Sequence, residues 1–157
     1  MKKISILGST GSIGTSALDI IRMYPDRFRP VVLAGAKNID LLSAQIKEFK
    51  PELAVVYGQK EAILLEKKLS PGSSTRVLWG EEGYEVAASF PSAELVLLAI
   101  VGAAGLKPAL AAINAGKNIA LANKETLVMA GELVMKLARE KGVDIFPVDS
   151  EHSAVFQ

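Results

Sequence analysis

Apolar runs of four to six residues recur along the chain, each followed by a turn signal and then by a segment with helical spacing. That alternation is the mark of βαβ units, in which a helix carries the chain back so that the next strand lies parallel to the last. The runs predict strands over residues 3–7, 29–34, 53–57, 76–79, 95–100, 118–122 and 143–148. Most are apolar at every position rather than at every second one, as expected for strands covered by helices on both faces. Apolar positions three and four apart suggest the helices between them: Ile13, Ala17, Ile20 and Ile21 in the first, then Leu41, Leu42, Ile46 and Phe49 in the second. The last helix is the clearest, with Leu127, Ala130, Val134, Leu137 and Ala138 on one face and Gly142 just past its end. Pro25, Pro51 and Pro71 fall in connections, and residues 70–75 are the most loop-like stretch. The fold class is therefore α/β, a three-layer αβα arrangement around a doubly wound, mainly parallel sheet.

Composition narrows the function classes. A length of 157 residues suits one domain with a sizeable core. Eighteen basic against 17 acidic residues leave a formal charge of +1, so no broad field draws the chain to nucleic acid or to an anionic membrane, and any anion site must be local. The absence of cysteine excludes disulfides, thiolate metal sites and a cysteine nucleophile. Only residues 4–7 form an apolar run near the N-terminus, where an export signal needs about 7 to 15, so the expected location is cytoplasmic. The uncharged stretch 95–106 is broken by Gly102 and Gly105 and falls short of the ~20 residues that span a bilayer.

The predicted first strand ends in Gly8, Ser9, Thr10, Gly11, Ser12, Ile13 and Gly14, a G-x-x-G-x-x-G loop that opens directly into a helix. Glycines let the backbone turn tightly and approach a diphosphate, while the helix start offers unpaired N–H groups and the positive end of its dipole. A glycine turn chosen only for packing is the alternative, and placement after the first strand of a βαβ unit favours the phosphate reading. The usual fingerprint has an acid at the end of the second strand to hold the ribose of NAD. Here the stretch reads Ala34, Gly35, Ala36, Lys37, Asn38, with no carboxylate. The ammonium of Lys37 and the amide of Asn38 suit a 2′-phosphate, so NADP(H) is expected over NAD(H), with a merely solvated lysine as the alternative.

Two further strand ends carry polar groups. Asn123, Lys124 and Glu125 open the last long helix, where a lysine serves a substrate phosphate or only solvent. Asp149 and Glu151 lie two apart after the final strand, a spacing that puts both carboxylates on one side of an extended chain. Two such oxygens suit Mg²⁺ or Mn²⁺, or else a helix cap with first-turn acids. His152, the one histidine, is a ligand, an acid–base group or a surface residue. The pattern at 149–157 reads as the opening of a helix without room to finish, which predicts a fragment of a longer chain.

Residues 8–14, the Lys37–Asn38 pair, 99–106 (AIVGAAGL), 121–127 (LANKETL) and 147–157 (PVDSEHSAVFQ) together resemble the 1-deoxy-D-xylulose 5-phosphate reductoisomerase family, in order along the whole chain. The resemblance implies a Rossmann-like NADPH-binding domain over 1–148 and the truncated start of a metal- and substrate-binding catalytic domain at 149–157. It implies that Thr10, Gly11, Ser12 and Ile13 hold the diphosphate and its neighbours, and that Gly35, Ala36, Lys37 and Asn38 surround the 2′-phosphate. Asn123 and Glu125 would face the nicotinamide. Lys124, Ser150 and Glu151 would contact a phosphosugar substrate, with Lys124, Glu151 and His152 as the catalytic set and Asp149 and Glu151 as ligands of Mg²⁺ or Mn²⁺. The family reaction is a metal-assisted rearrangement of a ketose phosphate followed by reduction with NADPH to 2-C-methyl-D-erythritol 4-phosphate, in isoprenoid precursor synthesis. The full-length enzyme is expected to be a homodimer without nucleic-acid or membrane partners, and the fragment to bind cofactor without turnover. One departure is visible: family members often read Ala-Gly before the Lys-Asn pair, and here Gly35 precedes Ala36.

Two other enzyme classes share a glycine loop. Short-chain reductases need Tyr-x-x-x-Lys, yet the residues four beyond Tyr24, Tyr57 and Tyr84 are Phe28, Glu61 and Ala88. Semialdehyde dehydrogenases need a nucleophilic cysteine. A nucleotide-sensing module would use the same pocket and leave the acidic end idle.

Overall fold

The computed structural model describes residues 1–122 and 124–148. Among them, seven strands form one sheet: β1 (Lys2–Leu7), β2 (Phe28–Ala34), β3 (Leu53–Val56), β4 (Arg76–Trp79), β5 (Leu95–Leu98), β6 (Asn118–Leu121) and β7 (Ile145–Pro147). The helices that alternate with them are α1 (Ser12–Met23), α2 (Ile39–Phe49), α3 (Gln59–Lys68), α4 (Gly80–Ala88), α5 (Leu106–Asn114) and α6 (Lys124–Lys141), with a short 3-10 turn at Gly102–Gly105. Every pairing is parallel, in the order β4-β3-β2-β1-β5-β6-β7. The chain works outward from β1 to β4, then returns to lay β5 against the other side of β1. That reversal leaves a crevice beyond the C-terminal ends of β1 and β5, where doubly wound sheets bind their ligands.

Each face of the sheet is covered. Leu18 and Ile21 of α1, Leu42 and Ile46 of α2, and Ala62 and Leu65 of α3 pack on Ile4, Ile6, Leu33, Ala54 and Val56. Ala87 and Ala88 of α4, Ala109, Ala112 and Ile113 of α5, and Val134 and Ala138 of α6 pack on Leu7, Val32, Leu53, Val55, Val96 and Leu98. Neighbouring strand residues therefore serve opposite layers, and each buried Leu, Ile or Val contributes about 1.5–3 kcal/mol, which is why the runs show no polar alternation. Ser5 is the exception inside β1, and its Oγ donates to the Ala87 carbonyl at 2.7 Å. Pro30, in β2 opposite Ile4, has no N–H to give, and the β1–β2 register shifts between Ile4 and Ser5.

Several sequence expectations need adjustment. Tyr57, Ala99, Ile100, Ala122, Val143, Asp144 and Val148 lie outside the strands predicted to include them. Most of these positions are where the chain leaves the sheet for its end loops. On α1 the buried face runs through Gly14, Leu18 and Ile21, while Ile20 is 53% exposed. The last helix is not regular: Ala130, just before Gly131, has φ −144° and ψ 30°, and two helical pieces meet there. The kink keeps Val134 and Ala138 in the core but turns Leu127 outward, to 39% exposure. No helix among the described residues is long and apolar enough to cross a membrane.

Candidate functional site

The glycine loop is built by close approach. Gly8 has φ +99°, and a Cβ there would stand 2.5 Å from the Ala99 carbonyl oxygen at the end of β5. A Cβ on Gly14 would stand 2.1 Å from the Gly8 oxygen and 2.6 Å from the Ser9 Cα. Both positions require glycine, the first to turn across the β1–β5 switch point and the second to let α1 abut the loop. Gly11 differs: a Cβ would meet only the Gly8 oxygen, at 3.5 Å, so packing does not demand glycine there. The loop is tied down by Gly8 and Ser9, whose N–H groups both donate to the Ala34 carbonyl, at 2.8 and 2.9 Å. Gly11 is the N-cap of α1 and no side chain caps the helix. The N–H groups of its first turn thus have no intrahelical partner and point into the crevice, with Gly11 and Ser12 exposed and Thr10 and Ile13 half-buried.

The loop after β2 lies against the first. A Cβ on Gly35 would come 3.2 Å from both Cγ2 and Oγ1 of Thr10. This crowding gives a physical reason for glycine at 35 and the larger residue at 36, which is exposed. Gly35 is buried and held on both polar groups: its N–H donates to the Val55 carbonyl at 2.9 Å, and its own carbonyl accepts from the Tyr84 hydroxyl of α4. Burial pushes the Tyr84 hydroxyl up to about 12, so it remains a donor. The Ala36 carbonyl accepts from the Tyr57 N–H at 3.1 Å. Lys37 is exposed and its Nζ sits 4.9 Å from the centre of the Tyr57 ring, a cation–π contact that keeps the ammonium at this edge. Asn38 caps α2 by accepting from the Leu41 N–H at 3.2 Å, which engages only its Oδ1 and leaves the NH₂ end for a ligand. Asp40, in the first turn of α2, is paired with Lys68 of α3 at 2.8 Å, and that hydrogen bond holds its carboxyl below the usual range.

The structure therefore brings Thr10, Gly11, Ser12, Ile13, Gly35, Ala36, Lys37 and Asn38 together along one edge of the sheet. Lys124 and Glu125 open α6 beyond β6, exposed and on that same edge. Asn123, Asp149, Ser150, Glu151 and His152 lie outside the described residues, and no metal-binding cluster occurs among the described ones. Sequence reasoning missed Ser9, Gln45, Tyr57 and Tyr84. Gln45 had a signal: it falls in phase with Leu42 and Ile46 on the apolar face of α2, where a polar residue needs a partner. The partner is Ser9, whose Oγ donates to Gln45 Oε1 at 2.8 Å while Gln45 Nε2 donates to the Ser9 carbonyl at 2.9 Å. A separate groove of about 320 Å³ lies near the end of α2, lined by Lys47, Lys50 and loop 69–75, away from these groups.

Comparison with known proteins agrees with this geometry. A family model described as 1-deoxy-D-xylulose 5-phosphate reductoisomerase matches residues 4–131. The enzyme of that name from Geotalea uraniireducens is 55% identical over 157 residues, all of this chain and 40% of the relative. Among solved structures, a DOX-P reductoisomerase complex with NADPH, fosmidomycin and magnesium is 46% identical with a TM-score of 0.93, covering 100% of this chain and 38% of that one. The Zymomonas mobilis reductoisomerase in complex with NADPH is 41% identical with a TM-score of 0.92, over 99% of this chain and 41% of the other. The chain thus spans about 40% of the length of the curated relatives it matches. With the match covering most of its length, and the glycine loop and Lys37–Asn38 pair on one sheet edge, the chain belongs to the 1-deoxy-D-xylulose 5-phosphate reductoisomerase family.

Proposed function

We propose that residues 1–148 form the NADPH-binding domain of an NADPH- and divalent-metal-dependent reductoisomerase that converts 1-deoxy-D-xylulose 5-phosphate to 2-C-methyl-D-erythritol 4-phosphate. Two structural relatives hold NADPH, and one of them also holds magnesium. The observation that carries the reading is the uncapped start of α1 set against a β2 loop that has a lysine and no acid. The fit is good on this chain's own atoms: glycines at 8 and 14 where a Cβ would collide, open N–H groups at the helix start, and a cation beside the neighbouring loop. Ser12 and Ile13 donate main-chain N–H groups to the diphosphate, Thr10 packs over Gly35 beside it, and Lys37 with the Asn38 amide meets the 2′-phosphate. Glu125 and Asn123 serve the nicotinamide side, and Lys124 neutralises charge on the phosphosugar. When bound, NADPH supplies hydride to the rearranged aldehyde. Asp149 and Glu151 are the proposed ligands of Mg²⁺ or Mn²⁺, with Ser150 on the substrate and His152 alongside in the catalytic set.

In this reading residues 149–157 begin the catalytic domain, the complete enzyme is a cytoplasmic homodimer without nucleic-acid or membrane partners, and the present chain binds cofactor without turnover. Calorimetric titration with NADPH and NADH tests the assignment. NADPH binds more tightly by about tenfold or more, as expected for a charge-assisted phosphate contact, and Lys37→Ala removes that advantage. Equal affinities, or an advantage that survives Lys37→Ala, would refute it.

A further inference from the structure

We propose that Gln45 is a positioning residue for the cofactor diphosphate, acting through Ser9; the proposal rests on the dinucleotide reading above. Gln45 lies mid-way along α2 on the face packed against the sheet, 3% exposed between Leu42 and Ile46. An apolar side chain would fill this layer without the cost of desolvating an amide, so the amide is explained by what it holds. It holds Ser9 at two points, accepting from the hydroxyl at 2.8 Å and donating to the main-chain carbonyl at 2.9 Å. A carbonyl only accepts, so the Nε2 end must face it and the orientation of the amide is fixed by its partners.

The second bond is the telling one. It clamps the peptide that joins Ser9 to Thr10, two residues before the N–H groups of Ser12 and Ile13 assigned to the diphosphate. Residue 9 is also tied through its N–H to Ala34, so both its polar main-chain atoms and its side chain are engaged. The same helix begins at the Asn38 cap, next to Lys37. Gln45 thereby fixes the glycine loop to the element whose start carries the 2′-phosphate contacts, which sets the separation of the two anion sites. From the opposite layer Tyr84 holds Gly35, so that the second loop has a brace of its own besides its contact with Thr10.

The separate braces of the two loops make the proposal testable. Titrate the parent chain, Gln45→Leu and Gln45→Met with NADPH and, separately, with 2′-AMP, which carries adenosine and the 2′-phosphate but no diphosphate. Loss of the two hydrogen bonds that hold the loop weakens NADPH by about 3- to 10-fold in either variant. The 2′-AMP affinity stays within about twofold, because its contacts lie on the loop held by Tyr84. A purely structural role would lower the melting temperature and move both ligands together, or neither, and either result overturns the proposal. Gln45→Met is close to glutamine in length and volume, so it removes both bonds while keeping the packing of α2 and decides the question if Gln45→Leu does not fold. Failure of the parent to bind NADPH would strike the dinucleotide reading itself, and the proposal with it.

Discussion

Tyr84 shows how one residue serves both stability and site. Its hydroxyl gives its proton to the Gly35 carbonyl from a buried position, and burial lifts its pKa from 10.0 to about 12. Between these values the unfolded chain has lost the proton and the folded chain has kept it, so stability is whole below pH 10 and falls as pH rises towards 12. The loss amounts to about 2–3 kcal/mol. Urea denaturation at pH 9 and pH 11.5 should show it in the parent and show much less of it in Tyr84→Phe; equal slopes with pH in the two would contradict the assignment. The absent acid and the cation at Lys37 and Asn38 were legible in the sequence, because residue type is a one-dimensional fact. The contacts of Tyr84 and Gln45 were not, because each acts on a residue 36 to 49 positions away, across the sheet edge, and Gln45 shows only as a polar residue in phase with Leu42 and Ile46. No local spacing encodes such a contact.

Elements were easier to read than their edges. Strands buried on both faces announce themselves as uninterrupted apolar runs, and all seven predicted runs contain a strand. Their ends depend on where the chain peels away into the end loops, and the kink at Ala130 has no period at all. The junction of β1 and α1 gives the sharpest element-scale prediction. Gly14→Ala puts a methyl into backbone atoms at 2.1 and 2.6 Å, and should cost about 3 kcal/mol or more, because no flexible side chain is there to yield. Gly11→Ala meets nothing closer than 3.5 Å, so thermal melting should hardly change while NADPH affinity drops. Reversal of that order would mean that Gly11 is the packing glycine. The ion pair between α1 and α2 is a smaller matter. Arg22 reaches Glu48 at 2.6 Å and its hydrogen bond holds that carboxyl below the usual range, yet both side chains are 43% exposed, so the pair is worth about 1 kcal/mol or less.

At the scale of the molecule the helices facing the two sides of the sheet differ in what they leave open. Along α6 and its flanks, Val101 and Val128 are each 85% exposed, with Met129, Leu133 and Phe146 half or more. A surface that apolar favours association, and the chain alone should self-associate with rising concentration. Sedimentation equilibrium checks this, and Leu133→Ser should reduce it while leaving NADPH binding in place, since Leu133 lies beyond the kink, about two turns from the start of α6. A parent that stays monomeric at high concentration would contradict it. Strand order was the part of the architecture least open to sequence, because the return from β4 to β5 beside β1 is a choice among packings, yet this choice makes the crevice that the glycine loop enters. The most direct test of the whole account is a crystal of this chain grown with NADPH. The diphosphate oxygens should lie within hydrogen-bond distance of the Ser12 and Ile13 N–H groups and the 2′-phosphate beside Lys37, whose ammonium leaves the Tyr57 ring to meet it. A cofactor bound elsewhere, or one whose adenosine end turns away from residues 35–38, would contradict it.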